Sequence, residues 1–447
     1  MQILPLPISM ELPAKYSGRL PPACDVVVIG GGVMGVSAAL ELAARGQKVV
    51  LCEKGRIAGE QSSRNWGWIR QQGRDLAELP VMMESLSIWK THAEKLPKDL
   101  GFAQQGVVYL ALTAAEMDGF ETWAQSARAQ GLQTQLLSRS DVVARFGTGS
   151  KWVGGLETPS DARAEPWRAV PLLADYARTQ GVLLREGCAV RRLDVTNGAI
   201  TGVFTESGRI ACNQVVVAGG AWSSLFLRNE GIDIPQLSVR SSVGIIPDQR
   251  QTYAGNAADD SIGFRARMDG GTSLAPGFAH DFYIGPDAFR HFSLYWPQFK
   301  KDHRATHLRA MAPRGFPDAW GTARRWRADE VSPFEAMRIL NPAPNTRALA
   351  RAARDFAAAF GGEGAQFSHQ WAGMIDMMPD VVPVISNVTI AGLTIATGLS
   401  GHGFGIGPGF GRVVADLALG REVGHDLTRF RLTRFSDGSV IAPGPSL

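Results

Sequence analysis

Three glycines spaced Gly30-x-Gly32-x-x-Gly35 close an apolar run, Val26-Val-Val-Ile29, and an acid, Glu53, closes a second apolar run, Val49-Val-Leu-Cys52. Residues of these types at this spacing hold a pyrophosphate. Gly30 permits a tight turn off a strand, Gly32 lets the phosphates reach the backbone, and Gly35 lets a helix lie close on the sheet. The helix that begins at Val33 and Met34 offers unpaired N–H groups and a partial positive charge to the anion. Glu53 is placed to accept hydrogen bonds from the ribose hydroxyls of an adenosine. The unit suits NAD and FAD alike.

A second glycine cluster lies far downstream. The apolar stretch 388–397 runs into Gly398-Leu-Ser-Gly401-His402-Gly403-Phe404 and on through four more glycines, with a helix expected over 412–419. Backbone N–H groups in such a loop suit a cofactor with a second polar end, and the flavin pyrimidine of FAD is one. Between the clusters, residues 54–70 form a polar, glycine-punctuated loop carrying Trp66, Trp68 and Arg70, and long loops in compact domains usually carry function.

The elements that must position these groups follow from periodicity. Helical spacing covers 76–98, 114–130 and 165–180; strand-like runs cover 106–112, the short segments within 181–211, and the buried run from Gln214. From about 231 to 342 the chain is rich in aromatics and arginines and shows no second βαβ pattern. Phe282, Tyr283, Phe289, His291, Phe292, Tyr295 and Trp296 alternate as in a sheet. At 447 residues the chain exceeds one compact core, so two domains are expected. A net charge of +4 without basic blocks gives no sign of a nucleic-acid partner. Cys24, Cys52, Cys188 and Cys212 are isolated, as in a reducing compartment, and no histidine pair has zinc-ligand spacing, so no metal is expected. The first 21 residues read as an arm, with neither signal peptide nor membrane span, and a cytoplasmic enzyme is the expectation.

Taken in order, Val27-Val-Ile-Gly-Gly-Gly-Val-Met-Gly35, Glu53, Gly59-Glu-Gln-Ser-Ser-Arg-Asn-Trp-Gly67, Val216-Val-Ala-Gly-Gly-Ala-Trp222, Pro379-Asp380 with Pro383, and Ala396-Thr-Gly-Leu-Ser-Gly-His-Gly-Phe404 resemble the D-amino-acid oxidase-like superfamily of FAD-dependent amine oxidoreductases, which includes sarcosine oxidase and glycine oxidase. The resemblance implies an α/β fold: a Rossmann-type FAD-binding domain built from discontinuous segments (22–100, 150–228 and 360–425), and an α+β substrate domain (101–149 and 229–359) whose antiparallel sheet covers the flavin, with a tail at 426–447. It assigns Gly30, Gly32, Val33, Met34, Gly35, Glu53 and Lys54 to the ADP half. Ser62, Ser63, Arg64, Asn65, Trp66 and Gly67 run along the flavin and pyrophosphate. Val190 is assigned to adenine. Ala218, Gly219 and Trp222 form the second strand turn, and Gly401, His402, Gly403 and Phe404 meet the pyrimidine. Relatives with covalent flavin use a cysteine near the C-terminal motif or a histidine near the first loop; this chain has neither, so noncovalent FAD is expected.

The chemistry implied is oxidation of a C–N bond in an amine or amino acid, with hydride passing to flavin N5 and the imine then hydrolysed. Such a site orients a C–H bond and excludes water, and needs no Ser-His-Asp arrangement. Trp66, Trp68, Arg70, Tyr283, Tyr295 and His402 are the candidates for contact with the reacting groups, and Trp371 for a pocket wall. Arg70, Arg265, Arg267 and Arg325 could each clamp a carboxylate, and spacing does not choose among them. The electron acceptor, O2 or an acceptor protein or quinone, stays open. So do oxidation of a 2-hydroxy acid or polyol, an NAD-linked dehydrogenase, and a role as the FAD subunit of a hetero-oligomeric dehydrogenase.

Overall fold

The computed structural model describes residues 7–147, 151–247, 253–360, 366–442 and 444. Its first layer is a six-stranded sheet in the order Val384–Asn387, Leu393–Thr397, Gln214–Val217, Val26–Ile29, Val49–Cys52, Leu183–Arg185. All neighbours are parallel except the first pair. The central strands read VVVI, VVLC and QVVV because both faces are covered, as parallel sheets require. Register brings Ile29 level with Cys52 on one side and with Val217 on the other. The residues that follow, Gly30, Glu53 and Ala218, therefore meet at one edge of the sheet, where open α/β sheets bind ligands.

A three-stranded antiparallel sheet, Val190–Thr196, Ala199–Thr205 and Gly208–Ala211, packs beside it. Its first hairpin turns at Asn197-Gly198, both with positive φ, as a two-residue turn of this hand demands. The larger sheet has ten strands. Its longest strand, Leu237–Ile246, pairs antiparallel with His369–Met377 from Leu237 opposite Met377 to Ile245 opposite His369. Gly154–Thr158 also hydrogen-bonds into this sheet, so the sequence ranges 150–228 and 360–425 each send a strand to it. The whole is the mixed α/β fold expected.

The helices expected at 76–98, 114–130 and 165–180 are Leu79–Lys95, Ala114–Ala129 and Pro166–Thr179. Two expectations are corrected. The helix expected at 412–419 spans Gly403–Ala418, so most of the glycine-rich run is helical. Low helix propensity is overridden here by packing: a methyl at Gly411 would strike Ser37 of the helix Val33–Ala44, and one at Gly409 would strike the Val81 carbonyl. Pro408 leaves a gap in this helix. The Ser85 hydroxyl bridges it, donating to the Gly405 carbonyl at 2.7 Å and accepting from Gly409 N–H at 3.0 Å. Second, the aromatic run is not sheet throughout. Only His280–Tyr283 is a strand; Pro286–Arg290 and Phe292–Asp302 are helices. Phe292 and Trp296 pack with tilted rings 5.3 Å apart, one helical turn from each other, and with Phe289 they are exposed.

One buried ion pair joins the layers. Glu165, which begins the helix Pro166–Thr179, meets Arg265 of the strand Gly263–Ala266 through two bonds, at 3.0 and 2.6 Å, and Arg265 also donates to the Trp66 carbonyl. Burial pushes the Glu165 carboxyl up, but Arg265 and Arg267 outweigh it and hold it below its ordinary value. Removing one partner strands a buried charge. Glu165→Ala is expected to lower stability by roughly 3–5 kcal/mol, while the pair Glu165→Leu with Arg265→Met costs far less, both read from urea unfolding followed by tryptophan fluorescence.

Candidate active site

At the sheet edge the first glycines leave room that side chains would fill. Gly30 has φ +109°, and a methyl there would enter the Ala218 carbonyl; a methyl at Gly35 would enter the Gly30 carbonyl. The helix Val33–Ala44 carries no acid in its first turn, and Val33 N–H donates to Ser62 Oγ at 2.8 Å. Glu53 is held by two backbone donors, Gly31 N–H at 2.7 Å and Gly55 N–H at 2.6 Å. Burial lifts its carboxyl above the ordinary value, with Lys54 and these N–H groups restraining the rise. Glu53, Lys54, Val190, Gly219 and Trp222 line a cavity of about 780 Å³ with Gly30 and Gly32.

That cavity shares Gly32, Gln61, Ser62, Ala218 and Gly220 with a larger one of about 1370 Å³, counted into the open solvent at its mouth. Together they make one trough from Glu53 to His402. The larger end is lined by Val33, Met34, Arg64, Asn65, Trp66, Trp68, Arg70, Gly401, His402, Gly403 and Phe404. The two glycine clusters thus face a single elongated space, with N–H-rich backbone at both ends. This fits a dinucleotide with a second polar end.

Gly35 sets the helix-to-sheet spacing, as its place in the motif foretold. Several other residues of the expected set do other work. Among the described residues Ser63 Oγ reaches the Glu60 carbonyl alone, at 3.5 Å, and Gly67 turns the chain with φ +82°. Lys54 Nζ is engaged by Glu60 Oε1 and the Met337 and Arg338 carbonyls, and lies 4.4 Å from the Trp222 ring. Arg64 lines the trough but spends its donors on the Gly59, Ala372 and Ile8 carbonyls and on Asn341.

The expected contacts from Tyr283 and Tyr295 are corrected, since neither lines the trough. Tyr283 packs against Phe316 and under the Arg240 guanidinium. The Tyr295 hydroxyl binds Pro235 O, Met377 O and Leu237 N, tying two paired strands together, and burial pushes the phenol well above its ordinary value. Trp371 donates to the Arg64 carbonyl at 3.0 Å and packs in the core behind the wall.

Among the arginines, Arg265 is committed to Glu165, Arg267 to Asp269 and Arg325 to the Arg228 carbonyl. Arg70 lines the trough, gives one Nη1 bond to the Gln72 carbonyl, and stands 5.7 Å from the Tyr109 ring. Trp66 and Trp68, also in the lining, meet edge to face at 5.1 Å.

Sequence reasoning passed over Gln61, Arg74, Glu78, Tyr109, Phe278 and Asp376. Asp376 accepts from Gly398 N–H at 2.8 Å and from Gln236 at 3.2 Å, and burial lifts its carboxyl. Burial pushes Glu78 up to about 7, despite Arg74, and holds His402 well below its ordinary value. The spacing of Arg74 and Glu78, four apart at a helix start, was a visible signal; their closeness to His402 was not.

Two outcomes follow. Gly30→Ala is expected to weaken FAD binding at least tenfold, about 1.4 kcal/mol, by flavin-fluorescence titration. Glu78 binds its proton more tightly folded (about 7) than unfolded (4.5), so the folded state holds more protons between these values and stability falls as pH rises through them. Apo-protein melts should decline from about pH 5 to 7.5, and Glu78→Gln should remove on the order of 3 kcal/mol of that decline.

The family model described as FAD dependent oxidoreductase matches residues 25–417. A D-amino acid dehydrogenase of Sinorhizobium medicae is 27% identical over 344 residues, covering 74% of this chain and 68% of that protein. Among solved structures, the L-amino acid deaminase of Proteus myxofaciens superposes with TM-score 0.89 at 30% identity, covering 95% of this chain and 96% of the other. The L-proline dehydrogenase of P. horikoshii superposes with TM-score 0.76 at 25% identity, covering 94% of this chain and 100% of the other. With nearly the whole chain matched, and a trough whose two ends suit the two halves of the cofactor, this protein belongs to the FAD dependent oxidoreductase family.

Proposed function

We propose that this flavoenzyme oxidises the C–N bond of an α-amino acid with noncovalently held FAD, releasing an imine that hydrolyses to a 2-oxo acid. The observation that carries the amino-acid reading is Arg70, a guanidinium in the wall of the trough with donors to spare, over the Tyr109 ring in a lining that also holds Trp66 and Trp68. The relatives named for amino acids support the same reading.

In this reading Gly30, Gly32, Val33 and Met34 hold the pyrophosphate, Glu53 the ribose and Val190 the adenine. Ala218, Gly219, Ser62 and Asn65 line the path to the ring, and Gly401, His402, Gly403 and Phe404 meet its pyrimidine. FAD, when bound, supplies the hydride acceptor. The chain supplies orientation and dryness. Arg70 fixes the carboxylate by charge-assisted hydrogen bonds, and Trp66, Trp68, Tyr109 and Phe278 exclude water. An ammonium entering such a wall loses its proton more easily because its charged form is desolvated, so no side chain is assigned as an obligatory base. The electrons leave to O2 or to an acceptor protein or quinone. No helix among the described residues is long and apolar enough to cross a membrane.

The visible spectrum of the purified protein tests the reading, before and after anaerobic addition of amino acids, simple amines and 2-hydroxy acids. Flavin bands that bleach with amino acids support it. Bleaching by hydroxy acids alone, or a protein that takes up no FAD, sinks it. Flavin should stay in the supernatant after acid precipitation. Arg70→Gln is expected to raise KM for the amino acid on the order of 10- to 100-fold, as loss of a charge-assisted bond implies, while the decarboxylated amine is affected much less.

A further inference from the structure

At the wall of the trough, three ionisable side chains meet. Glu78 stands at the start of the helix Leu79–Lys95, His402 at the start of the helix Gly403–Ala418, and Arg74 in the turn before Glu78. His402 Nδ1 lies 3.7 Å from Glu78 Oε2, and Arg74 Nη1 lies 4.0 Å from the same oxygen. All three side chains are at most 1% exposed. Arg74 is fixed by bonds to the Arg70 and His402 carbonyls. Among the described residues, no hydrogen-bond partner serves either Glu78 oxygen, either His402 ring nitrogen, or Arg74 Nη1. Burying a carboxylate and an imidazole this way is costly, so stability does not account for the cluster. Its position does: His402 and Arg74 line the trough, and Glu78 sits next to both of them.

The surrounding charges leave Glu78 as the group free to titrate. Arg70 and Arg74 face His402 and Glu78 from the turn that follows the strand Trp68–Ile69. Asp75 is paired with Arg429. Asp380, on the segment after His369–Met377, is held by Arg434 and Arg429.

We propose that Glu78 is a positioning residue for the flavin end of the trough: with His402 it takes one proton from water when two-electron reduction of the cofactor puts negative charge there, and returns it on reoxidation. The proposal rests on the FAD reading above. The balance is simple. Two electrons and one proton, equivalent to the substrate hydride, leave the reduced ring with one negative charge. A second proton, drawn from solvent, neutralises the Glu78 carboxylate, so the buried cluster moves from net neutral to net positive beside the new anion. Burial already brings Glu78 to about 7 while keeping His402 uncharged, so near neutral pH a small added field decides the protonation.

The test counts protons taken up per two electrons when the FAD-loaded enzyme is photoreduced without oxygen in weakly buffered indicator solution. The slope of its reduction potential with pH is a second readout. In the unaltered enzyme the count should rise from about one near pH 6, where Glu78 already carries its proton, toward about two near pH 8. Glu78→Gln should stay at about one throughout while still holding FAD. A count of one at every pH in the unaltered enzyme overturns the proposal whatever the variant does. So does a second proton that persists in Glu78→Gln. A chain that takes up no FAD overturns the cofactor reading, and this proposal with it; one that binds FAD and takes up a single proton at every pH overturns this proposal alone.

Discussion

The close approach of backbone to backbone at Gly30 is the constraint on which the trough depends. The Ala218 carbonyl and the turn after Ile29 lie so near that no methyl fits between them, and the Gly30 carbonyl in turn fills the space beside Gly35. This contact fixes three strand ends at one level, which puts Glu53 across from the helix start at Val33 and opens the crevice along the sheet edge. A parallel sheet whose three central strands are four residues long has little tolerance for slippage, because a shift of one residue moves every side chain to the other face. The glycines therefore set the register as much as they make room for phosphate.

At the other end the same economy of space is met by a helix. Gly403–Ala418 lies against both Val33–Ala44 and Leu79–Lys95, with Gly409 and Gly411 at the contacts and Ser85 bridging the break at Pro408. Trp89 adds its own bond to the Gly405 carbonyl, at 3.0 Å. The start of this helix carries His402 into the wall of the trough. Its placement follows from packing along the whole helix rather than from the loop before it.

What the sequence disclosed follows from how local each signal is. Gly30, Gly32, Gly35 and Glu53 are neighbours in one βαβ unit, so their spacing alone foretold where they meet. The helix at 403–418 was legible only in its second half, because glycine propensity argues against helix and the packing that reverses it comes from residues 33–44 and 79–95. The aromatic run around Phe292 repeats at intervals that satisfy a strand and a helix alike; Pro286 and the one-turn packing of Phe292 on Trp296 mark it as helical. Tyr283 and Tyr295 looked like substrate contacts by type, yet each serves the packing of strands. Arg70 could be singled out among the arginines only once Arg265, Arg267 and Arg325 had visible partners. Glu78 was invisible as a site residue because its neighbour His402 lies far along the chain.

The six-stranded sheet takes its strands from both ends of the chain: Val26–Ile29 pairs with Gln214–Val217, which pairs with Leu393–Thr397. Contacts of such high sequence separation form slowly, since long loops must close before they are rewarded. On the ribosome the apolar edge of Gln214–Val217 must wait, uncovered, until the residues near 393 emerge, and the helix that caps the trough comes later still. During synthesis the nascent chain thus passes through a stage in which half of a nucleotide cradle exists without the other half, with one edge of a hydrophobic strand open to other chains.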